Sequence, residues 1–359
     1  MTPPQRRVTA GVDTHKDFHV AAALDDIGKL LGTETFPATP AGYRALHRWL
    51  TDLGDIDAVG VEGTGAWGAG LARHLNTAGV RVIEVTRQNR QRRRRNGKSD
   101  TADAIGAARS VLSEEATGTP KNAAGAVESI RVLQVARRSA IKARTQAANQ
   151  LHSVLVTAPD ELRSRFAGLN VADLAEQTSR LRPGPITDPT AATKTTLVIL
   201  ARRWLALGAE IAMLDEHLEQ LTVTAAPTLL ELKGVGTQVA SVLLTTVGDN
   251  PERLRSERSF AALCGTNPVD ATSGRRQDRH RLNRGGDRQA NAALYVIALC
   301  RLRWDPATKA YMARRLAEGK TRKEVIRCLK RYIAREVFYA ITADLAPPAA
   351  RPSTVLAAA

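Results

Sequence analysis

The feature that most constrains this chain is a run of apolar residues spaced alternately three and four apart. Its members are Leu197, Leu200, Trp204, Leu207, Ile211, Leu214, Leu218 and Leu221. A repeat of about 3.5 residues is typical of a coiled-coil seam, so the segment is predicted to be a long helix with a helical partner. A second helical stripe, over residues 130–154, offers such a partner. Two arrangements fit: an antiparallel hairpin within the chain, or an arm that pairs with another subunit.

Residues 8–112, ahead of these helices, alternate between strand and helix patterns. Alternating Val, Ala and Leu predict two strands, at "RVTAGVD" and "FHVAAAL". Further strands are predicted at "KLLGTETF", at "DAVGVEG", which reads as a short buried strand, and at "VRVIEV". Helices are predicted at "AGYRALHRWLTDL", "WGAGLARHLNTAG" and "DTADAIGAARSVL", the last with Ser99 as its N-cap. Because hairpins come first and βα units follow, we expect a mixed sheet.

The rest of the chain is predicted to be helical. The stretch "LLELKGVGTQVASVLLTTVGD" has the helix–glycine turn–helix pattern of a helix-hairpin-helix, which binds phosphate through turn amides, and equally fits a hairpin that only packs. The predicted fold class is therefore α/β plus all-α. We expect a mixed-sheet domain at 1–118, a coiled-coil helical region at 119–226, a helical domain at 227–345 and a disordered tail at 346–359.

The net charge favours a polyanionic partner. Fifty-two Lys and Arg stand against 36 Asp and Glu, a net charge of +16, and the basic residues cluster at 87–98 and 275–288. The three cysteines are far apart, which indicates reduced thiols rather than a disulfide framework. No apolar run approaches the roughly 20 residues that span a bilayer. We expect a cytoplasmic, nucleoid-associated protein without a membrane partner.

Four carboxylates occupy positions that could converge. Asp13 lies in the first strand, Glu62 ends a later strand, and Asp100 and Asp103 lie one helical turn apart. Converging carboxylates repel one another unless cations neutralise them, and oxygen ligands favour Mg²⁺ or Mn²⁺. Taken singly, each acid also fits a cap, a turn or the surface. Their order, however, is that of the ribonuclease-H-like nucleases.

Seven stretches, in this order along the chain, resemble the DEDD transposases of insertion-sequence family one-ten (IS110). They are "GVDTHKDFHVA", "VEGTGAWG", "KSDTADA", "LKGVGTQVASVLLTTVGD", "CGTNPVDATSG", "RHRLNRGGDRQANAAL" and "EGKTRKEVIRCLKRYIARE". The resemblance implies a RuvC-like (ribonuclease-H-like) N-terminal domain, a C-terminal transposase domain, and Asp13, Glu62, Asp100 and Asp103 as the metal-binding acids.

The resemblance also implies a nucleophile. Ser273 matches the family's serine that attacks DNA, although from the residues alone "SG" is ordinary turn chemistry. In the family the serine and the metal site meet as a composite centre across subunits, so a homo-oligomer, dimer or tetramer, is implied. A structured RNA encoded by the element is implied too, pairing with donor and target DNA. His280 is a candidate base, phosphate contact or plain surface residue.

Two basic clusters are the candidate nucleic-acid contacts. The first contains Arg87, Arg90, Arg92, Arg93, Arg94, Arg95 and Lys98, and the second contains Arg275, Arg276, Arg279, Arg281, Arg284 and Arg288. Some of these arginines also fit a solvated surface. The function expected is a transposase or DNA recombinase. The alternatives are a Holliday-junction-type endonuclease, in which water attacks, and a non-catalytic nucleic-acid-binding protein.

Overall fold

The computed structural model describes residues 6–85, 99–271 and 280–346 of the chain. These residues form two compact units. The first comprises the chain up to residue 124 together with residues 247–255, and the second comprises residues 125–246 and the chain from 256 onward. The chain therefore leaves the first unit after residue 124 and returns to it for residues 247–255.

The first unit is built on one β-sheet. Its elements are β1 (Arg7–Thr14), β2 (Phe18–Leu24), β3 (Leu30–Pro37), α1 (Pro40–Leu53), β4 (Asp55–Glu62), α2 (Ala69–Thr77), β5 (Val82–Val85) and α3 (Asp100–Leu112). The strands lie in the order β3-β2-β1-β4-β5. The pairs β1–β2 and β2–β3 are antiparallel, whereas β1–β4 and β4–β5 are parallel. The predicted mixed sheet, with its strands and helices, is confirmed.

Helices cover both faces of this sheet. On one face, Val8 and Val12 of β1 share a core with Leu46 of α1 and Leu71 of α2. On the other face, α3 packs through Ala107 against buried residues of β4 and β5. Side chains of a strand point alternately to the two faces, so Thr9, Gly11 and Asp13 of β1 lie on the face that α3 covers.

Residues 247–255 are held to the first unit by polar contacts. The Asn250 side-chain amide donates to the carbonyl oxygen of Pro120 at 3.1 Å, and Arg253 Nε donates to the carbonyl oxygen of Thr119 at 2.7 Å. The Arg253 guanidinium also lies 3.5 Å from the Glu84 carboxylate. Burial lowers the pKa of Arg253, while Glu84 opposes that shift.

The second unit is mainly helical. Its elements are α4 (Ala126–Val156), α5 (Asp160–Arg165), α6 (Val171–Ser179), α7 (Pro189–Ala225), α8 (Pro227–Glu231), α9 (Thr237–Val247, whose last residue belongs to the first unit), α10 (Glu257–Leu263), β6 (Pro268–Asp270), β7 (His280–Leu282), α11 (Arg288–Trp304), α12 (Pro306–Ala317) and α13 (Arg322–Leu345). Strands β6 and β7 form an antiparallel pair that the sequence did not predict. Helices α8 and α9 flank the glycine turn; its phosphate-binding role stays a prediction.

Helices α4 and α7 pack side by side as an antiparallel hairpin. Arg137 of α4 forms an ion pair with Asp215 of α7, and the Arg144 guanidinium lies 3.9 Å from the centre of the Trp204 ring. Later residues of α4 therefore meet earlier residues of α7. Six seam residues of α7 are buried: Leu197, Leu200, Trp204, Ile211, Leu214 and Leu218. The seam thus closes within the chain, and its pairing with another subunit stays a prediction.

Among the residues that the structure describes, none of the helices combines the length and the apolar character that a bilayer crossing requires.

Candidate metal centre

The first strand places Asp13 beneath helix α3. Asp13 is the penultimate residue of β1 and is 9% exposed. Gly11 lies two positions earlier, so both residues point to the same face of the sheet. A Cβ built on Gly11 would lie 2.1 Å from the backbone nitrogen of Ala108 in α3. The helix therefore rests directly on the strand, close to Asp13.

The same arrangement recurs in the neighbouring parallel strand. Val12 of β1 is paired with Val61 of β4, so Glu62 ends its strand beside Asp13. Gly60 lies two positions before Glu62, and a Cβ on it would lie 2.6 Å from the Val111 side chain of α3. The sequences "GVD" and "GVE" thus end adjacent strands. The Thr14 hydroxyl joins the two ends by donating to the Glu62 carbonyl oxygen at 2.8 Å.

Helix α3 brings Asp100 and Asp103 to this edge. The Ser99 side chain accepts a hydrogen bond from the backbone nitrogen of Ala102 and so fixes where the helix begins, as predicted. Asp100 is the first helical residue, and Asp103 follows one turn later with 7% exposure. Carboxylates in a first turn are stabilised by the positive end of the helix dipole.

His15 is a member of this cluster that the sequence analysis missed. Its Nε2 atom lies 3.3 Å from Asp13 Oδ2 and 3.4 Å from Asp100 Oδ2. The ring packs on Phe18, with 4.8 Å between centroids. His15 lies two residues beyond Asp13, and this spacing of two is the signal that could have identified it.

The electrostatics of the cluster suit a divalent cation. Burial raises the pKa of Asp13, the carboxylates of Asp103 and Asp100 raise it further, and His15 opposes them. One ligand atom from each of Asp13, His15 and Asp100 lies within 4.8 Å of the others. Carboxylate oxygens are ligands for hard divalent ions, and an imidazole nitrogen is also accepted by first-row transition ions. The residues therefore fit a divalent metal.

Several predicted residues lie outside the described part of the chain. These are Ser273 and the basic residues Arg87, Arg90, Arg92, Arg93, Arg94, Arg95, Lys98, Arg275, Arg276 and Arg279. Their roles stay predictions.

The remaining members of the second basic cluster lie on the surface of the second unit. His280 and Arg281 belong to β7, Arg284 lies in the loop after it, and Arg288 begins α11; all four are exposed. Asn283 holds the loop by donating to the side-chain oxygen of Asn267 at 2.7 Å. This brings three predicted arginines into one short segment.

Two family models match the chain. One, described as "Transposase" and built on the DEDD transposases of IS110, matches residues 10–158 and so contains the whole acid cluster. The other, described as "Transposase IS116/IS110/IS902 family", matches residues 226–313. The chain belongs to the IS110 family of DEDD transposases. Asp13, Glu62, Asp100 and Asp103 thus lie within the DEDD match, and Ser273 lies within the second.

Individual relatives agree with this family. The 43.6 kDa protein of insertion element IS110 from Streptomyces coelicolor is 32% identical over 45% of this chain, and the 42 kDa protein of insertion element IS900 from Mycobacterium paratuberculosis is 29% identical over 38%. These matches span only 39% and 35% of the two relatives. A third relative, a mini-circle protein of IS117 from S. coelicolor named as a proposed transposase, is 26% identical over 87% of this chain and 88% of its own length.

Proposed function

We propose that this chain is a DNA transposase that mobilises its insertion element by metal-assisted, serine-mediated strand cleavage and exchange. The observation that carries the proposal is the gathering of Asp13, His15 and Asp100 at one edge of the sheet, with ligand atoms within 4.8 Å of one another. Family membership supplies the substrate class, DNA. The high net positive charge, +16, is consistent with a polyanionic substrate.

We propose a ribonuclease-H-like (RuvC-like) arrangement for the first unit. The support is the sheet order β3-β2-β1-β4-β5, in which an antiparallel meander is followed by parallel strands. The acids fall on β1, the end of β4 and the start of α3. In this arrangement Asp13 and Asp103 are buried, while the partly exposed side chains of His15 and Asp100 leave a side of the cluster that a DNA backbone could reach.

The acids would hold the metal, and other residues would act on the DNA. We expect Asp13, Glu62, Asp100 and Asp103 to bind Mg²⁺ or Mn²⁺, which would neutralise charge that develops on a phosphate oxygen. Ser273 Oγ would attack the phosphorus and displace a sugar oxygen, which takes up a proton. The strand is then joined to the protein through a phosphoserine ester. Attack by a different sugar hydroxyl on this ester completes exchange without an external energy source.

The basic residues would hold the polyanion during these steps. Arg281, Arg284 and Arg288 are exposed together on the second unit and are available for phosphate contacts. We further propose that an element-encoded RNA pairs with the DNA, so that base pairing specifies the sequence while protein contacts hold the backbone. Strand exchange needs more than one active site, so we propose a homo-oligomer, dimer or tetramer.

A donor–target plasmid assay tests the metal site. Asp13→Asn keeps the size of the side chain but removes a ligand charge, and we expect recombination to fall at least about 100-fold, because a bound metal contributes several kcal/mol to such reactions. Binding to DNA should be retained. The matched control is Asp26→Asn, an exposed acid in the turn after β2. Equal recombination by Asp13→Asn and Asp26→Asn would refute the metal site.

The same assay tests the nucleophile. Ser273→Ala should abolish recombination, because no other group then provides the attacking oxygen, whereas Thr272→Ala, which removes the adjacent hydroxyl, should retain it. Metal-dependent DNA cleavage that survives in Ser273→Ala would instead identify the chain as a junction-type endonuclease in which water attacks. Binding without any cleavage in the wild type would identify a non-catalytic binding protein.

A further inference from the structure

A cavity of about 470 Å³ opens on the second unit. The β6–β7 pair and the turn after α10 form one side of it, and helix α13 forms the other. Its volume lies in the range of small-molecule and nucleotide sites. None of its walls contains a residue of the DEDD cluster.

The walls of this cavity are strongly basic. Helix α13 contributes Arg327, Lys330, Arg331 and Arg335. The last three follow Arg327 by three, four and eight residues, so all four side chains share one face of the helix. Strand β7 contributes Arg281. The carboxylate among the lining residues is that of Glu257. It is already paired, since it lies 3.1 Å from Arg331 and 3.3 Å from Arg335.

Three of the basic groups form no ion pair with a carboxylate among the described residues, although hydrogen bonds from Thr321 and then the charge of Arg327 lower the pKa of Glu324 on the same helix. Arg281 and Arg327 form no ion pair there, and Arg327 Nε donates only to the Lys323 carbonyl oxygen of its own helix, at 3.3 Å. Lys330 Nζ donates to the Asn291 side-chain oxygen at 2.7 Å. Burial lowers the pKa of Lys330, and the nearby positive charge of Arg327 lowers it further. An anion placed here would relieve this repulsion.

An aromatic ring stands among these charges. Tyr332 lines the cavity and is 55% exposed, although a tyrosine usually buries most of its ring. Tyr311 braces it in a T-shaped contact, with 5.8 Å between ring centroids. A ring that is fixed at one side and open at another is a platform on which a planar group can stack.

We propose that this cavity binds one unpaired nucleotide of a single-stranded nucleic acid, with its phosphate on the basic wall and its base stacked on Tyr332. A duplex keeps its bases stacked inside, so only an extruded or single-stranded nucleotide presents both groups to one cavity. The inference rests on the proposed function in taking nucleic acid as the polyanion. It adds a binding site in the second unit that involves neither the metal-binding acids nor Ser273.

Binding of short single-stranded oligonucleotides tests the proposal. The full chain, in EDTA, is titrated into a DNA and an RNA oligonucleotide of one sequence, each containing 2-aminopurine, and both anisotropy and fluorescence quenching are followed. Tyr332→Ala should weaken binding about tenfold and abolish quenching, because one base–aromatic stack contributes about 1–3 kcal/mol. Tyr332→Phe should bind like the wild type. Tyr339→Ala, which removes an equally exposed tyrosine of α13 outside the cavity, is the matched control.

The basic wall has its own test. Arg327→Gln should lower the dependence of log affinity on log salt by about 0.7, the value for one phosphate contact of a single strand. Lys323→Gln, on the same helix but outside the cavity, should leave that slope unchanged, and equal slopes for the two variants would contradict a phosphate contact at Arg327. An abasic oligonucleotide should bind the wild type about as weakly as the intact one binds Tyr332→Ala.

The outcomes separate this proposal from the proposed function. Quenching of the 2-aminopurine fluorescence supports the site, and whether it occurs with the DNA, the RNA or both oligonucleotides identifies which nucleic acid the cavity binds. Equal affinities of Tyr332→Ala and Tyr339→Ala, or equal binding of abasic and intact oligonucleotides, overturn it. Since no metal is present and cleavage is not measured, failure of recombination leaves this result unaffected, and failure here leaves the metal site unaffected.

Discussion

At the scale of single residues, His15 changes the chemistry expected of the acid cluster. Four carboxylates alone would form a site with only oxygen ligands, which suits both Mg²⁺ and Mn²⁺. The position of His15 Nε2, 3.3 Å from Asp13 and 3.4 Å from Asp100, adds a nitrogen to the donors at this edge. Nitrogen ligands favour transition ions over Mg²⁺.

We therefore expect His15→Ala to weaken Mn²⁺ binding more than Mg²⁺ binding. Calorimetric titration of each ion into the wild type and the variant, at one pH, measures both affinities. Lys16→Gln, which alters an exposed neighbour, serves as the control. Equal losses for the two ions, or none, would mean that His15 only packs beside the site.

Some residues of the candidate site could be predicted from the sequence, and one could not. The places of Asp13, Glu62, Asp100 and Asp103 in the fold could be predicted, because strand alternation and a Ser99 cap put each acid at the end or start of an element, which local pattern reveals. His15 was missed because it follows the strand in a turn, where residue type alone does not distinguish a ligand from a surface histidine. The repeated "GVD" and "GVE" carried a further signal.

At the scale of elements, two glycines set the distance between helix α3 and the strands beneath it. Gly11 and Gly60 lie two residues before Asp13 and Glu62, and a Cβ on Gly11 would meet backbone atoms of α3 at 2.1 and 2.3 Å. Backbone atoms cannot move aside as a flexible side chain can. Small residues on α3, such as Ala104 and Ala107, complete the close packing.

Gly11→Ala should therefore damage both stability and metal binding. We expect the free energy of unfolding to fall by at least about 2 kcal/mol, the range of overpacked cores, because α3 must move away and carry Asp100 and Asp103 with it. Thermal or urea unfolding measures the loss, and Mn²⁺ titration measures the binding. Gly65→Ala is the control, since a Cβ there meets no atom within 4 Å. Equal stability of the two variants would contradict this packing.

Contacts between distant segments were beyond the reach of the sequence. The strands and helices of the first unit follow from local periodicity, and α4 and α7 follow from the seam. Residues 247–255 carry no periodic signal, yet Asn250 and Arg253 join them to Pro120 and Thr119. The β6–β7 pair is also missed, because strands of three residues are too short for alternation to be detected.

At the scale of the whole molecule, the chemistry is divided between the two units. The acids proposed to bind metal belong to the first unit, whereas Ser273 and the second basic cluster belong to the second by sequence position. The proposed mechanism needs both, either within one chain or between subunits. In the proposed mechanism the step that needs both sites is formation of a covalent serine–DNA bond, which neither a metal nuclease nor a binding protein forms.

Trapping that bond tests the central claim most directly. Purified protein, the proposed element-encoded RNA and labelled donor DNA are incubated with Mg²⁺, denatured and separated, and any DNA that remains attached to protein is mapped by peptide mass spectrometry. We expect a denaturation-resistant adduct at Ser273 that is absent in EDTA, in Asp13→Asn and in Ser273→Ala. Cleavage of the DNA by the wild type without any adduct, or an adduct that forms equally in EDTA, would contradict the account.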